Sequence, residues 1–266
     1  MNNKMSPNLI IEQQNGIATI RLNRPQERNV INYDGWIEIG QAAEMISKSK
    51  DIKVLIITGQ GDESFSAGAD IKDFNQSRSN STQAKIYAKA FDHALNAIEQ
   101  IPQPTISLIK GFCLGGGCEL SMATDIRIAS ESSKFGIPAA NLGVLIGYKE
   151  MIRLVNLVGL SHASDLLLTA KIIDATEASR INLVTKILPL DKTEKYVFTL
   201  AKKMTLLAPL SQVGHKKIIQ TILQNPNLGT LTPTEENFPF TNFDSSDYQE
   251  GRSAFLEKRP PRFTGK

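Results

Sequence analysis

Two short stretches of small residues are the part of this sequence with the clearest chemical potential. Ser66–Ile71 reads SAGADI and Gly111–Leu120 reads GFCLGGGCEL, and each stands between a predicted strand and a predicted helix. At a helix start the backbone N–H groups have no partner inside the helix, and the helix dipole favours negative charge there. Two such turns that converge can hold one negatively charged oxygen, such as that of an enolate.

The two stretches differ in how strongly they indicate a site. A turn such as Ser66–Ile71 is also a common plain connection. Gly115, Gly116 and Gly117 are costly in entropy unless the backbone must approach another group closely, and close packing of helix on strand is the alternative reason for them. Glu119 lies one turn into the same helix, where it is a candidate general acid/base, or else a carboxylate that only complements the dipole.

Composition limits the class of protein. The 266 residues are 41% hydrophobic and 21% charged, which is ordinary for a globular chain and long enough for a sizeable core. The net charge of +3 is too balanced to indicate a nucleic-acid surface. No stretch approaches the roughly 20 apolar residues of a membrane span, and Met1–Gln14 resembles no signal or transit peptide, so we expect a cytoplasmic protein without a membrane partner.

The cysteines do not indicate a metal site. Cys113 and Cys118 are the two in the sequence, and this C-x4-C pair has no nearby histidine. We therefore expect no metal, and the low cysteine count fits a reducing compartment.

Short β-branched runs alternate with helical patterns, which predicts an α/β fold. An apolar strand, a glycine turn and a helix start recur around residues 54–72, 105–122 and 126–142, which indicates stacked ββα units. Strand signals stop near residue 195, so we predict a core over 1–195 and a helical region over 196–266 that packs on this core or on a neighbouring subunit. The predicted strands are Leu9–Ile11, Ile17–Leu22, Val54–Ile57, Thr105–Ile109, Ile126–Ile128 and Val184–Leu188.

The sequence resembles the crotonase superfamily, also called the enoyl-CoA hydratase/isomerase family, from about residue 8 to residue 263. Ser66–Ile71 and Gly111–Leu120 are similar to its S-A-G-A-D-[IL] and G-x-x-x-G-G-G-x-E-L motifs. Further matches are Asn23-Arg24-Pro25 with Asn29 and Asn32, similar to the family's opening segment, Asp125–Ala129, similar to the strand after the second motif, and Glu250–Arg259, similar to the closing E-G-x-x-A-F-x-E-K-R helix.

This resemblance implies a crotonase-like ββα superhelix with a C-terminal helical trimerisation region, assembled as a homotrimer or a dimer of trimers. It implies that the N–H groups of Ala69 and Gly116 grip the thioester oxygen of an acyl-CoA and that Glu119 is the catalytic acid/base. Coenzyme A enters as part of the substrate, so no separate cofactor is expected.

The resemblance also implies which residues surround the acyl-CoA. Arg28 and Lys72 fall where the family places groups around the nucleotide, and Gly147 matches a glycine beside the reacting carbons. Phe255 and Lys258, one turn apart on one predicted helix face, match residues that reach a coenzyme A bound to the adjacent subunit. The remaining expected contacts are Ala67, Asp70, Ile71, Gly115 and Ala139.

One departure from the family pattern bears on the reaction. The family's second catalytic glutamate is expected after the Phe-Gly-x-Pro segment, where this chain has Ala139. Tyr148, Lys149 or Glu150 is then a possible replacement, although each also fits a structural or solvated role at a helix start.

The predicted function is therefore enolate chemistry on an acyl-CoA thioester, with 2-enoyl-CoA hydration ranked first. Double-bond isomerisation or another enolate reaction such as decarboxylation ranks close behind, because a single carboxylate remains. A non-catalytic acyl-CoA-binding subunit is the alternative from a different class.

Overall fold

Two β-sheets of different size organise the computed structural model, which describes residues 4–266. The strands are β1 (Lys4–Met5), β2 (Leu9–Gln14), β3 (Ile17–Leu22), β4 (Val54–Gly59), β5 (Ser64–Ser66), β6 (Thr105–Ile109), β7 (Phe112–Leu114), β8 (Ile126–Ser130), β9 (Lys134–Gly136), β10 (Ile173–Asp174) and β11 (Lys186–Leu188). The larger sheet has the order β1-β2-β3-β4-β6-β8-β11 and is parallel from β3 to β11. The smaller sheet has the order β10-β9-β7-β5, in which β5, β7 and β9 are parallel.

Helices cover the faces of these sheets. They are α1 (Tyr33–Ser47), α2 (Phe74–Ser77), α3 (Ser81–Glu99), α4 (Gly116–Met122), α5 (Tyr148–Thr169), α6 (Ala175–Arg180), α7 (Leu190–Met204), α8 (Pro209–Gln224), α9 (Pro233–Asn237) and α10 (Ser246–Leu256). Asparagine side chains begin two of them: Asn32 accepts the Gly35 N–H at 2.8 Å, and Asn80 accepts the Gln83 N–H at 3.0 Å. Because both sheet faces are covered, β4 and β6 are buried along their whole length and read as continuous apolar runs.

The repeated ββα unit explains how the two sheets are connected. The pairs β4–β5, β6–β7 and β8–β9 each place one strand in the larger sheet and the next strand in the smaller one, before the chain enters a helical segment. The expected α/β fold of stacked ββα units is confirmed. The four short strands of the smaller sheet are not predicted from the sequence, because two or three residues are too few to show a period.

The longest helix, α5, has the length and apolar composition of a membrane span, contrary to the expectation that no stretch approaches one. Gly159 has non-helical angles of φ 76° and ψ 164° and divides α5, and the side chains of Leu154 and Leu166 are buried in the main core. Arg153 is buried on the same helix.

The first of the C-terminal helices, α7, packs directly on the larger sheet. Residue 195 falls inside α7, whose Val197 and Ala201 share a core cluster with Val54 and Ile106. The predicted boundary therefore divides a helix that packs on the larger sheet. α8 is attached through the Gln220 side chain, which donates to the Glu99 carbonyl at 2.8 Å.

Candidate active site

Loops from three neighbouring strands meet at one edge of the smaller sheet. Because β5, β7 and β9 are parallel and adjacent, their carboxyl ends lie side by side. Ser66–Ile71 leaves β5, the Gly115 turn leaves β7, and the turn that carries Ala139 follows β9. A hydrogen bond from the Gly115 N–H to the Gly136 carbonyl, 2.8 Å long, ties the second loop to the third.

The first two loops approach each other without a side chain between them. Gly68 has φ +102°, and a Cβ atom added to it would lie 2.8 Å from the Leu114 oxygen and 3.2 Å from the Gly116 nitrogen. A Cβ atom on Gly117 would lie 2.5 Å from the Ser66 oxygen. Glycine is therefore required on both sides of the contact, which is the close backbone approach that the glycine run indicates.

The N–H group of Ala69 is turned away from Ile31, with which Ala69 forms an isolated parallel bridge. Ile31 pairs with the residues on either side of Ala69: the Ile31 N–H donates to the Gly68 carbonyl at 2.8 Å, and the Asp70 N–H donates to the Ile31 carbonyl at 3.0 Å. In a parallel bridge of this kind the central residue's own N–H points to the opposite side. Within residues 4–266 the Ala69 N–H donates to no backbone carbonyl.

The N–H group of Gly116 is free for a different reason. Gly116 is the first residue of α4, so its N–H has no acceptor within the helix. Gly115 turns the chain into this helix with φ 49° and ψ −126°, a conformation that glycine adopts readily. The contact between Gly68 and Gly116 thus brings together two loops that each carry a donor without a backbone partner.

Glu119 lies in the first turn of α4, three residues after Gly116, and is 6% exposed. In the part of the chain that the structure describes, its carboxyl group accepts no hydrogen bond. Burial is the main cause that raises the pKa of Glu119 to about 8, and the negative charge of Glu150 adds to it, while Arg78 and Arg153 oppose it. A carboxyl group that titrates near neutral pH can both accept and donate a proton.

Glu150, in the first turn of α5, is the second buried carboxyl group here. Its side chain is 3% exposed, it pairs with Arg153 at 3.3 Å, and burial raises its pKa. A Cβ atom on Gly147 would lie 2.4 Å from Glu150 Oε2, so glycine at that position leaves room for this carboxylate. The two other residues considered as replacements are outward-facing: Tyr148 is 96% exposed, and the exposed Lys149 side chain pairs with Asp92 at 3.5 Å.

Three aromatic rings pack behind Gly116 in the core, where Trp36 is fully buried and Tyr87 is 3% exposed. A Cβ atom on Gly116 would lie 3.0 Å from Trp36 Cζ2 and 3.5 Å from Phe91 Cε2. Trp36 Nε1 donates to the Tyr87 hydroxyl at 2.6 Å, and the Trp36 and Phe91 rings meet edge to face at 4.6 Å. Trp36 belongs to the main core cluster and Phe91 packs against it, so these rings support the loop from behind.

The sequence also gives no sign that Arg78 acts on Glu119. Its guanidinium carbon lies 3.4 Å from the centroid of the Tyr87 ring, and its charge acts on Glu119. It follows α2 in a polar loop, where an arginine by itself indicates nothing.

The expected nucleotide contacts lie on the outer side of the first loop. Arg28 stacks over Phe112 at 4.9 Å and pairs with Glu63 at 3.0 Å. The Lys72 side chain is 81% exposed and pairs with Glu27 at 2.9 Å, which raises its pKa. Both cations are thus near the Ala69 loop and accessible. Of the other loop residues, Ala67 is half-buried, Asp70 is buried and Ile71 is exposed.

The remaining expected contacts are divided between this edge and the C-terminus. Ala139 is half-buried in the short helical turn after β9, and Gly147 immediately precedes α5. Phe255 is 84% exposed near the end of α10. The helix ends at Leu256 and Lys258 has φ 55°, so the prediction that Phe255 and Lys258 share one helix face is wrong. Their contact with a neighbouring subunit's coenzyme A stays a prediction.

No group of three or more His, Cys, Asp or Glu side chains that could hold a metal ion occurs within residues 4–266. What the site offers is two backbone donors and a carboxyl group with a raised pKa. This set can stabilise an oxyanion and move a proton beside it.

Comparison with known proteins gives consistent matches along the chain. A family model described as enoyl-CoA hydratase/isomerase matches residues 12–266. A crotonyl-CoA hydratase from Syntrophomonas wolfei is 36% identical over 263 residues, covering 97% of this chain and 98% of that protein. A short-chain-enoyl-CoA hydratase from Clostridium acetobutylicum is 32% identical over 252 residues, covering 95% of each. The crystal structure of an enoyl-CoA hydratase/carnithine racemase from Magnetospirillum magneticum is similar with a TM-score of 0.95 at 35% identity, covering 99% of this chain and 97% of that chain.

Proposed function

Because this chain belongs to the enoyl-CoA hydratase/isomerase family of the crotonase superfamily, we propose that it adds water across the α,β double bond of a 2-enoyl-CoA thioester. The observation that carries this proposal is the contact of Gly68 with Gly116, which joins two loops with free N–H donors beside the buried carboxyl group of Glu119. The relatives named as crotonyl-CoA and short-chain-enoyl-CoA hydratases support the choice of hydration.

The N–H groups of Ala69 and Gly116 form the oxyanion hole. When water adds to the β-carbon, the electron pair of the double bond moves to the α-carbon and the thioester oxygen gains negative charge. Donors that are already aimed at this oxygen need no reorganisation, and each contributes roughly 2.7–4 kcal/mol to stabilising the transition state. The Gly116 donor also gains from its position at the start of α4.

Glu119 transfers the proton. Its ionised carboxylate takes a proton from the attacking water as the oxygen bonds to the β-carbon, and it then returns that proton to the α-carbon as the enolate collapses. The sum is one hydrogen and one hydroxyl group added, with Glu119 regenerated. A positioned carboxylate contributes about 10²- to 10⁴-fold to such a step.

Ala139 stands where the family resemblance expects a second catalytic glutamate, and a methyl group transfers no proton. Of Tyr148, Lys149 and Glu150, only Glu150 is buried and acts electrostatically on Glu119. We assign Glu150 as a positioning residue that holds the pKa of Glu119 high. Glu119 is then the one residue that exchanges a proton with substrate.

Double-bond isomerisation is the second candidate, and the single catalytic carboxyl group favours it. Moving a double bond needs only one base that takes a proton from one carbon and returns it to another. The same oxyanion hole serves both reactions, because both pass through an enolate.

The acyl-CoA is held by the loop residues Ala67, Asp70, Ile71 and Gly115, with Arg28 and Lys72 toward its phosphates. Phe255 and Lys258 serve a neighbouring subunit, which requires a homotrimer or a dimer of trimers. The reaction needs proton transfer alone, so no metal or separate cofactor takes part.

Incubation with crotonyl-CoA in deuterium oxide tests the proposal. Hydration predicts loss of the enoyl absorbance and a product that has gained one water molecule. One of the two hydrogens of that water is a deuterium on the α-carbon. Glu119→Gln abolishes this, whereas Glu131→Gln, which changes an exposed carboxylate, leaves the rate unchanged. If the protein converts a 3-enoyl-CoA to the 2-enoyl isomer but adds no water to crotonyl-CoA, the result supports isomerisation instead. Binding of crotonyl-CoA with neither reaction contradicts both and supports the non-catalytic acyl-CoA-binding subunit.

A further inference from the structure

The outward face of α7 carries a row of exposed lysines. The buried side of this helix, which includes Val197 and Ala201, packs on the larger sheet. On a helix with 3.6 residues per turn, positions three, seven or eleven residues apart lie on the same side. The side of α7 that faces away from the sheet is lined at these spacings by the exposed residues Lys192, Lys195, Lys202 and Lys203.

The turn between α7 and α8 adds two exposed leucines to this face. Leu206 is 66% exposed and Leu207 is 52% exposed. The Leu206 N–H donates to the Lys203 carbonyl at 3.1 Å, and the Leu207 N–H donates to the Met204 carbonyl at 3.2 Å, so hydrogen bonds hold the turn in shape. Apolar side chains kept in water by a fixed turn gain free energy when another apolar phase covers them.

A second basic segment lies against this turn. Lys53 Nζ donates to the Thr205 carbonyl at 3.3 Å. A Cβ atom on Gly16 would lie 3.7 Å from both Lys53 Cγ and Thr205 Cγ2, which places the three residues in one packed group. The loop before Lys53 therefore brings the exposed side chains of Lys48 and Lys50 near the end of α7.

The carboxylates of these two segments leave most of the positive charge in place. Residues 48–53 and 190–207 contain seven lysines and three acids, which are Asp51, Asp191 and Glu194. Glu194 is already paired with Lys110 at 3.0 Å. Within residues 4–266 the four lysines of α7 form no ion pair. A partner that fits this face is therefore anionic and has an apolar part for the leucines.

The surface of an anionic lipid bilayer supplies both properties. Its phosphates attract lysines, and the acyl chains just below them accept apolar side chains. A nucleic acid offers phosphates, but its charged backbone gives Leu206 and Leu207 no apolar surface. A second copy of this chain that met the first through the same face would set lysine against lysine, which is repulsive.

We propose that the outward face of α7 and the turn over residues 205–208 bind the surface of an anionic phospholipid bilayer. The lysines contact the headgroup phosphates, and Leu206 and Leu207 enter the boundary between headgroups and acyl chains. A peripheral contact of this kind needs no membrane span, so it adds a membrane partner where the sequence predicts none. It is independent of the proposed reaction, because none of its residues belongs to the candidate active site.

Sedimentation with lipid vesicles tests the proposal on the full-length protein. The wild type is expected to bind vesicles made of equal parts phosphatidylcholine and phosphatidylglycerol, and to stay in solution with pure phosphatidylcholine. In Lys195→Gln/Lys202→Gln the partition coefficient falls roughly 30-fold, because each lysine near an anionic surface contributes about fivefold. The matched control Lys85→Gln/Lys89→Gln removes two exposed lysines from α3 and leaves binding unchanged.

Leu206→Ser/Leu207→Ser separates the apolar contribution from the electrostatic one. This variant is expected to bind more weakly at every salt concentration, with the same dependence of binding on salt as the wild type, since salt screens the charges alone. Leu160→Ser/Leu168→Ser changes two exposed leucines of α5 and is expected to bind as the wild type does.

Four outcomes overturn the proposal. The first is a wild type that binds neither kind of vesicle or binds both equally. The second is an equal loss of binding in the two lysine variants. The third is binding of duplex DNA without binding of vesicles, which assigns the face to nucleic acid. The fourth is a loss of binding in Leu160→Ser/Leu168→Ser as large as in Leu206→Ser/Leu207→Ser, which assigns the lipid contact to α5.

Discussion

The carboxyl groups of Glu119 and Glu150 act on each other although they belong to different helices. Glu119 lies in the first turn of α4, Glu150 lies in the first turn of α5, and the negative charge of Glu150 is the second cause, after burial, of the raised pKa of Glu119. Arg153 pairs with Glu150 and opposes this effect on Glu119. The pair therefore places a carboxyl group with a pKa of about 8 beside two backbone donors.

This pKa predicts an alkaline activity profile. Hydration by the proposed mechanism requires ionised Glu119, and below its pKa of about 8 the ionised fraction falls tenfold for each pH unit. We expect kcat/KM with a 2-enoyl-CoA to rise about tenfold per unit up to roughly pH 8 and then to level. A profile that is flat between pH 6 and pH 9 contradicts the assignment of Glu119 as the base.

Glu150→Gln is expected to move that profile to lower pH. Removing a negative charge favours ionisation of Glu119, so the midpoint falls by about 0.5 to 1 pH unit. Arg153 keeps its 2.8 Å pair with Glu99, so the fold retains that contact. The midpoint of kcat/KM against pH is the measurement, with Glu131→Gln as the control that leaves it in place. A loss of rate at every pH with no change of midpoint assigns Glu150 a different role.

Glu119→Gln is expected to stabilise the fold, and more so at high pH. The pKa of Glu119 is about 8 in the folded state, against an ordinary value of 4.5. Between these values the folded state keeps a proton that the unfolded chain has released, so the free energy of unfolding falls as pH rises. The loss approaches roughly 3–5 kcal/mol above pH 8, at about 1.4 kcal/mol per pKa unit.

Thermal unfolding of wild type and Glu119→Gln at pH 5 and pH 9 measures this effect. The difference in Tm is expected to be at least about 5 °C larger at pH 9. A difference that is constant with pH means that Glu119 is not held protonated by its surroundings.

Gly68→Ala is expected to separate the two donor loops. Its Cβ atom would lie 2.8 Å from the Leu114 oxygen, so the backbone must shift. The N–H groups of Ala69 and Gly116 then no longer point at the same oxygen atom. We expect a fall in kcat of at least about 100-fold, since the loss of one oxyanion donor costs that much.

Gly61→Ala is the matched control for this substitution. Gly61 has φ +81°, similarly unfavourable for alanine, but nothing lies within 4 Å of an added Cβ atom. Both variants lose stability through the backbone strain, about 1 kcal/mol, whereas activity falls only in Gly68→Ala. Equal activity of the two variants contradicts the oxyanion hole.

The family resemblance and much of the fold follow from local sequence. The continuous apolar runs that become β4 and β6, and the asparagines that cap α1 and α3, are set by neighbours along the chain. The glycine run after β7 indicates a close backbone approach because no other residue type accepts that conformation and that contact without cost.

The tertiary structure decided which groups share the site. Trp36, Arg78 and Glu150 come from three separate segments, and no spacing in the sequence relates any of them to Glu119. The raised pKa of Glu119 also depends on burial and on charges carried by other elements. Periodicity reports how a residue relates to its neighbours in the chain, whereas desolvation and electrostatic interaction act through space, so these properties exist only once the segments are packed together.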